Sequence, residues 1–208
     1  MMERGLFITF EGADGSGKST QYRLFAQYLR DLGYDVITTR EPGGTEISEK
    51  IRALILDPNN RDMTDMTEAF LFAASRTQHV SQVIKPAVEE GKIVLCDRFM
   101  DSSIAYQGYA RGLGDCVRQI NEVAVMGMQP DLTFFLDLDP ESGRKRNVRA
   151  GKADRLEQQD IEFHDRVYEG YKKLVEIYKN RFIVIDASGS IEEVQERIRR
   201  SFVERQGL

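Results

Sequence analysis

Gly12-Ala13-Asp14-Gly15-Ser16-Gly17-Lys18-Ser19 fits the eight-position pattern Gly-x-x-x-x-Gly-Lys-Ser, followed by Thr20. Its residue types suit a phosphate chain. Glycines let the backbone curl so that successive N–H groups face one anion, and a helix starting at the loop's end adds partial positive charge. Lys18 would reach the outer phosphates, and the Ser19 hydroxyl would ligate Mg²⁺. The residues from Gly12 to Thr20 therefore read as an ATP-binding cradle.

A second chemical feature is Asp97-Arg98. It lies at the end of a predicted strand and offers a guanidinium whose bidentate fork can hold an acceptor phosphate. A third is Arg144, Lys145, Arg146, Arg149, Lys152 and Arg155, six bases within twelve residues that contain one acid, Asp154. Such a cluster reverses the acidic balance of the chain, and the small residues Ala150, Gly151 and Ala153 predict a mobile lid over about 142–157. In phosphoryl transfer, an arginine supplied to the transferring group contributes a factor of about 10³–10⁵. Arg146, Arg149 and Arg155 are the candidates.

These groups need a scaffold. Leu6–Phe10, Val36–Thr39, Lys92–Asp97, Leu132–Asp137 and Arg181–Asp186 are short runs of β-formers, alternating with segments of helical period. Leu24, Phe25, Tyr28, Leu29 and Leu32 predict a helix ending at Gly33. Ile47 to Ile55 predict a short helix, and Met66 to Ile84 one long helix. The alternation predicts an α/β fold with five parallel strands and helices on both faces. Glu11, Asp97 and Asp186 end three strands, and in such sheets the ligand crevice lies at the carboxyl ends.

The whole chain, 208 residues with 29 basic and 34 acidic side chains and a net charge of −5, reads as a single domain, 1–208. Its acidity argues against non-specific nucleic-acid or membrane binding. No apolar run approaches the roughly 18 residues of a membrane span. Two cysteines, Cys96 and Cys116, give no disulfide framework, and a cytoplasmic setting is expected. The sequence lacks an Asn-Lys pair, and with it the guanine-reading motif of signalling GTPases. A small-molecule kinase fits the length.

Phe10-Glu11-Gly12 through Gln21, Arg40-Glu41-Pro42-Gly43-Gly44-Thr45, Asp97-Arg98-Phe99 with Ser102-Ser103-x-Ala105-Tyr106-Gln107-Gly108, Arg111-Gly112-Leu113 and Asp154-Arg155-Leu156-Glu157 resemble the thymidylate kinase family. Because the phosphate loop has no arginine, the resemblance is to the bacterial type. It implies a P-loop nucleotide-kinase fold, transfer of the ATP γ-phosphoryl group to dTMP with Mg²⁺, and a homodimer. It also implies an acceptor site of Asp14, Glu41, Arg52, Phe72, Arg76, Arg98, Ser103, Tyr106 and Gln107. Phe72 would stack on thymine and Arg76 would donate to its O4. Ser103 and Gln107 would bond the base, and Tyr106 would pack against the sugar. Lys18, Arg98 and the lid arginines would be catalytic, with Ser19 and Asp97 at the metal. Other nucleoside or nucleoside-monophosphate kinases, and a catalytically idle nucleotide-binding protein, remain alternatives. His79 and His164, far apart, suggest structural roles.

Overall fold

The computed structural model describes residues 4–147 and 154–206. Five strands, β1 (Phe7–Glu11), β2 (Val36–Arg40), β3 (Ile93–Asp97), β4 (Leu132–Asp137) and β5 (Phe182–Asp186), form one parallel sheet in the order β2-β3-β1-β4-β5. Ile8 stands opposite Leu95 on one side and Leu132 on the other. β1 is buried at every position, as expected of a central parallel strand covered on both faces. The edge strands β2 and β5 expose some of their residues. Val184 of β5 is one such side chain.

Alternate residues feed two cores. Ile8, Phe10, Leu95, Phe134 and Leu136 pack under α1 (Lys18–Asp31) and α9 (Ile191–Gln206) through Phe25, Leu29, Val194, Ile198 and Phe202. Phe7, Val94, Cys96 and Phe135 point the other way, into a core that contains Val80, Ile84, Phe99, Tyr106, Phe163 and Tyr171. The helices on that side include α2 (Glu46–Leu56), α3 (Asp65–His79), α4 (Lys85–Glu89), α5 (Met100–Ser103), α6 (Asp115–Ala124) and α8 (Ile161–Ile177). The helices that follow β1 and β3 thus lie on opposite faces, and a crevice opens at the carboxyl ends of these two strands.

Two helical stretches depart from simple periodicity. The predicted single helix Met66–Ile84 is α3, then a π-helical turn at Val80–Ile84, then α4. Pro86 lacks an N–H and crowds the preceding turn, which accounts for the widened ladder just before it. A second π-helix, Ile104–Ala110, continues α5 and closes with Arg111 N–H donating to Tyr106 O at 2.9 Å. Such wide turns often sit at functional sites, and this one carries Tyr106 and Gln107.

The short helix α7 (Pro140–Asn147) lies directly on the phosphate loop. A Cβ at Gly15, whose φ is +79°, would lie 2.1 Å from Gly143 O, and a Cβ at Gly143 would lie 2.7 Å from Asp14 O. Only a glycine pair lets these backbones approach, and the approach brings Arg146 to the cradle. Of the predicted lid, 148–153, including Arg149 and Lys152, lie outside the described residues.

Candidate active site

α1 begins at Lys18 with Gly17 before it at φ +90°, and no side chain caps the helix. Its first N–H groups are therefore available to an anion. The Ser16 hydroxyl is buried without a hydrogen-bond partner among the described residues. Lys18 Nζ donates to Ala13 O at 2.8 Å. Burial pushes its pKa down to about 8, and the neighbouring Arg98 adds to the shift. The Ser19 hydroxyl donates to Asp97 Oδ2 at 2.7 Å, joining the cradle to the end of β3.

Arg98 has a positive φ of 70°, a rare conformation for a residue with a side chain. The bend turns its guanidinium back over the cradle. Nη2 donates to Asp14 Oδ1 at 2.5 Å, and Nη1 to Gly12 O, Ser102 Oγ and Tyr171 OH, each at 3.2 Å. Its Cζ sits 5.2 Å from the centre of the Tyr106 ring, and Tyr106 OH donates to Asp14 Oδ2 at 2.9 Å. Burial alone would raise the Asp14 pKa, but Arg98, with help from Lys18, outweighs it and holds the carboxyl at about 2. Glu11 anchors the bend from below. It is fully buried and accepts from Phe99 N–H at 2.7 Å, Ser102 Oγ–H at 2.6 Å and Tyr171 OH at 2.9 Å. Burial, reinforced by Asp101, raises its pKa to about 7.

One cavity of about 820 Å³ runs along this edge of the sheet, large for a small-molecule site. Asp14, Gly15, Ser16, Gly17, Lys18, Ser19, Thr20, Glu41, Arg52, Phe72, Asp97, Arg98, Ser103, Tyr106, Gln107 and Arg146 all line it. Gly12 and Ala13 stand behind the wall and act through their carbonyls, which hold Arg98 and Lys18. Arg52 lies against the turn after β2, donating to Pro42 O at 2.8 Å.

Two expected members are placed elsewhere. Phe72 faces the cavity, but Arg76 lies behind that wall, 1% exposed. The buried carboxylate of Glu41 draws it there. Nε and Nη2 of Arg76 each lie 2.7 Å from Glu41 Oε2, while Nη1 donates to Ser103 Oγ at 3.1 Å and to Asn121 Oδ1. Glu41 Oε1 meets His79 Nδ1 at 3.0 Å, which gives that histidine its structural place. Arg155 is also turned inward. Nε donates to Ile55 O at 2.7 Å and Nη2 to Glu68 Oε2 at 2.6 Å, so its guanidinium fastens 154–157 to α2 and α3. Arg146 remains on the cavity, with Nη1 donating to Ala187 O at 3.2 Å. Arg144 is paired with Asp165 at 3.1 Å.

Three features escaped the sequence reading. Ala187, Gly189, Ser190, Ile191 and Val194 form the far wall beyond the cradle. Their signal was position, directly after the last strand. The buried carboxylate of Glu68 looked like an ordinary acid in the first turn of a helix, yet it receives side chains from 107, 111 and 155. The π-helical turn at 104–110 has no local signature.

A cradle on β1–α1, an arginine from the end of β3 and a basic segment after β4, all on one parallel sheet, define a P-loop nucleotide kinase. The Thymidylate kinase family model matches residues 10–198. The Thymidylate kinase of Exiguobacterium sp. is 50% identical over 202 residues, covering 97% of this chain and 95% of that protein. That of Finegoldia magna is 55% identical over 190 residues, covering 91% and 93%. The crystal structure of thymidylate kinase from Ehrlichia chaffeensis superimposes with a TM-score of 0.81 at 35% identity, covering 96% of this chain and 99% of that one. The chain belongs to the thymidylate kinase family.

Proposed function

We propose that this protein transfers the γ-phosphoryl group of ATP to dTMP, giving dTDP and ADP, as one step in the supply of dTTP. The observation that carries the reading is the continuity of one cavity, from the cradle at Gly15–Thr20 to the wall of Phe72, Ser103, Tyr106 and Gln107. Lys18, Arg98 and Asp14 all line it, and the charges of Lys18 and Arg98 both act on the Asp14 carboxylate. ATP phosphates lie on the cradle, and the acceptor monophosphate lies on Arg98. An oxygen of that monophosphate attacks Pγ while the bridging oxygen leaves on ADP. The acceptor is already an anion, so no base need remove a proton. Positioning and electrostatics supply the rate.

The residues fit Mg²⁺. Ser19 Oγ and Asp97 Oδ2 are hard oxygen donors 2.7 Å apart on the cavity. No group of three or more His, Cys, Asp or Glu side chains suited to a metal occurs among the described residues. Mg²⁺ is commonly held by one or two protein oxygens together with phosphates. When bound there it would neutralise charge on the transferring group. Arg146, which lines the cavity, and Arg149 are the proposed lid arginines that join Lys18.

The homodimer is part of this proposal. Phe70 on α3 is 55% exposed and Val123 on the adjoining α6 is 79% exposed, which gives these two helices an apolar face for a second copy. A cytoplasmic site of action suits the two free thiols, Cys96 and Cys116. The test is to supply γ-labelled ATP with dTMP, dUMP, UMP, CMP or thymidine. Label in dTDP, with dTMP preferred, is expected. A preference for thymidine or another monophosphate, or ATP binding without transfer, would overturn the reading.

A further inference from the structure

Gln107 lines the acceptor half of the cavity and is fully buried. Its Nε2 donates to Glu68 Oε1 at 2.9 Å, while its Oε1 has no partner among the described residues. Glu68 is itself fully buried, and as a carboxylate it only accepts. The amide of Gln107 therefore has one permitted orientation. Its N–H faces Glu68, and its oxygen is the group left to meet a ligand. Beside it, Ser103 Oγ accepts from Arg76 at 3.1 Å, which leaves the Ser103 proton free to be donated. The wall thus offers one acceptor and one donor, complementary to the N3–H and C4=O of a 4-oxopyrimidine. A 4-aminopyrimidine carries a bare N3 and an amino group at those positions, the reverse of what the wall requires.

We infer that Glu68 is a positioning residue for base selection: it fixes the polarity of the Gln107 amide, and thereby admits 4-oxo and rejects 4-amino pyrimidine monophosphates. The inference rests on the dTMP reading above. The same carboxylate receives Arg111, with Nε at 3.3 Å from Oε1 and Nη2 at 3.1 Å from Oε2, and Arg155 Nη2 at 2.6 Å from Oε2. The two shorter arginine contacts converge on Oε2. In Glu68→Gln, the new amide would keep its oxygen at that position and turn its NH₂ toward Gln107. Two donors cannot face one another, so Gln107 would rotate, present its own N–H to the ligand, and invert the edge.

The experiment is a competition between dTMP and 5-methyl-dCMP, which share the 5-methyl group and differ at the edge in question. With both in one reaction, the ratio of diphosphate products gives the ratio of kcat/KM values and does not depend on the folded fraction. The wild-type enzyme should favour dTMP, and in Glu68→Gln the preference should fall about 10–10²-fold, the value of one buried contact made or left unpaired. Glu68→Asp keeps the acceptor and should keep dTMP preferred. An unchanged ratio in Glu68→Gln, with both substrates slowed alike, would show a merely structural carboxylate and overturn the inference. Should the single variant fail to fold, Glu68→Gln/Arg111→Gln removes one of the two orphaned guanidinium groups and carries the same test. A wild-type enzyme that labels neither dTMP nor dUMP would instead overturn the reading on which this one rests.

Discussion

Arg98 combines the side chain proposed to hold the acceptor phosphate with a backbone angle that side chains resist, and substitution can separate the two. Its φ of +70° is held by Arg98 N–H donating to Phe10 O at 3.0 Å and by Phe99 N–H donating to Glu11 at 2.7 Å. Arg98→Ala and Arg98→Gly both remove the guanidinium, but only glycine accepts the angle without cost. A left-handed residue with a Cβ loses about 1–2 kcal/mol, and glycine loses roughly 0.5–1 kcal/mol through its freer unfolded chain. The glycine variant should therefore be the more stable of the two by about 1 kcal/mol. For a domain of this size that is a melting difference of roughly 2–4 °C, measurable by calorimetry or by urea unfolding. Both variants should lose about 10²–10³-fold in kcat/KM for dTMP, the usual cost of one preorganised donor to a reacting oxyanion. An alanine variant as stable as the glycine variant would refute the strain. A glycine variant with near-normal turnover of dTMP would refute the phosphate role of Arg98.

Two further outcomes follow from buried charge. Arg76→Ala leaves Glu41, 1% exposed beside its lost partner, with His79 as its remaining side-chain partner among the described residues. That should cost about 3–5 kcal/mol, read as a lower urea midpoint and partly recovered in Arg76→Met/Glu41→Gln; a loss below about 1 kcal/mol would mean the pair is not what holds this wall. Glu11, with its pKa raised from 4.5 to about 7, acts with the opposite sign to a paired surface acid. Between these values the folded protein keeps a proton that the unfolded chain has released, so unfolding free energy falls as pH rises, by up to about 1.4 kcal/mol per unit. Glu11→Gln should flatten that slope between pH 5 and 7, and an equal slope in variant and wild type would assign the titration to another group.

What the sequence made legible was local or terminal. The cradle is eight consecutive residues, and the carboxyl edge of the sheet could be found from strand ends alone, since β1 and β3 hand Glu11 and Asp97 to one crevice. Long-range pairing was not legible. Arg76 is one helical turn from Phe72 and looks equally available to a ligand, but the position of Glu41, 35 residues earlier, decides that it faces inward. Arg155 belongs to a basic run, and nothing in that run shows that Glu68 on α3 will claim it. The turn at 104–110 reads as ordinary helix because π-helical hydrogen bonding leaves no pattern in side-chain type.

Charge shows most clearly how the fold makes the site. The cavity wall carries five cations, Lys18, Arg40, Arg52, Arg98 and Arg146, against five carboxylates, Asp14, Glu41, Asp97, Asp154 and Glu157. Its formal sum is zero, and a uniform field of that kind would not hold two polyanions. Arrangement does what net charge does not. Glu41 is cancelled from behind by Arg76, Asp14 lies under Arg98 and fixes where its fork points, and Asp97 stands with Ser19 where a dication would offset it. Once those carboxylates are matched, Lys18, Arg52, Arg98 and Arg146 still line the cavity beside the amino end of α1. Arg98 is thus held by an acid, and Lys18 and Arg146 by backbone carbonyls, before any phosphate arrives, with little reorganisation left for the moment of transfer. On this account the proposed Mg²⁺ completes an electrostatic balance that the protein alone leaves even, and the acidity of the whole chain is no obstacle to binding nucleotides.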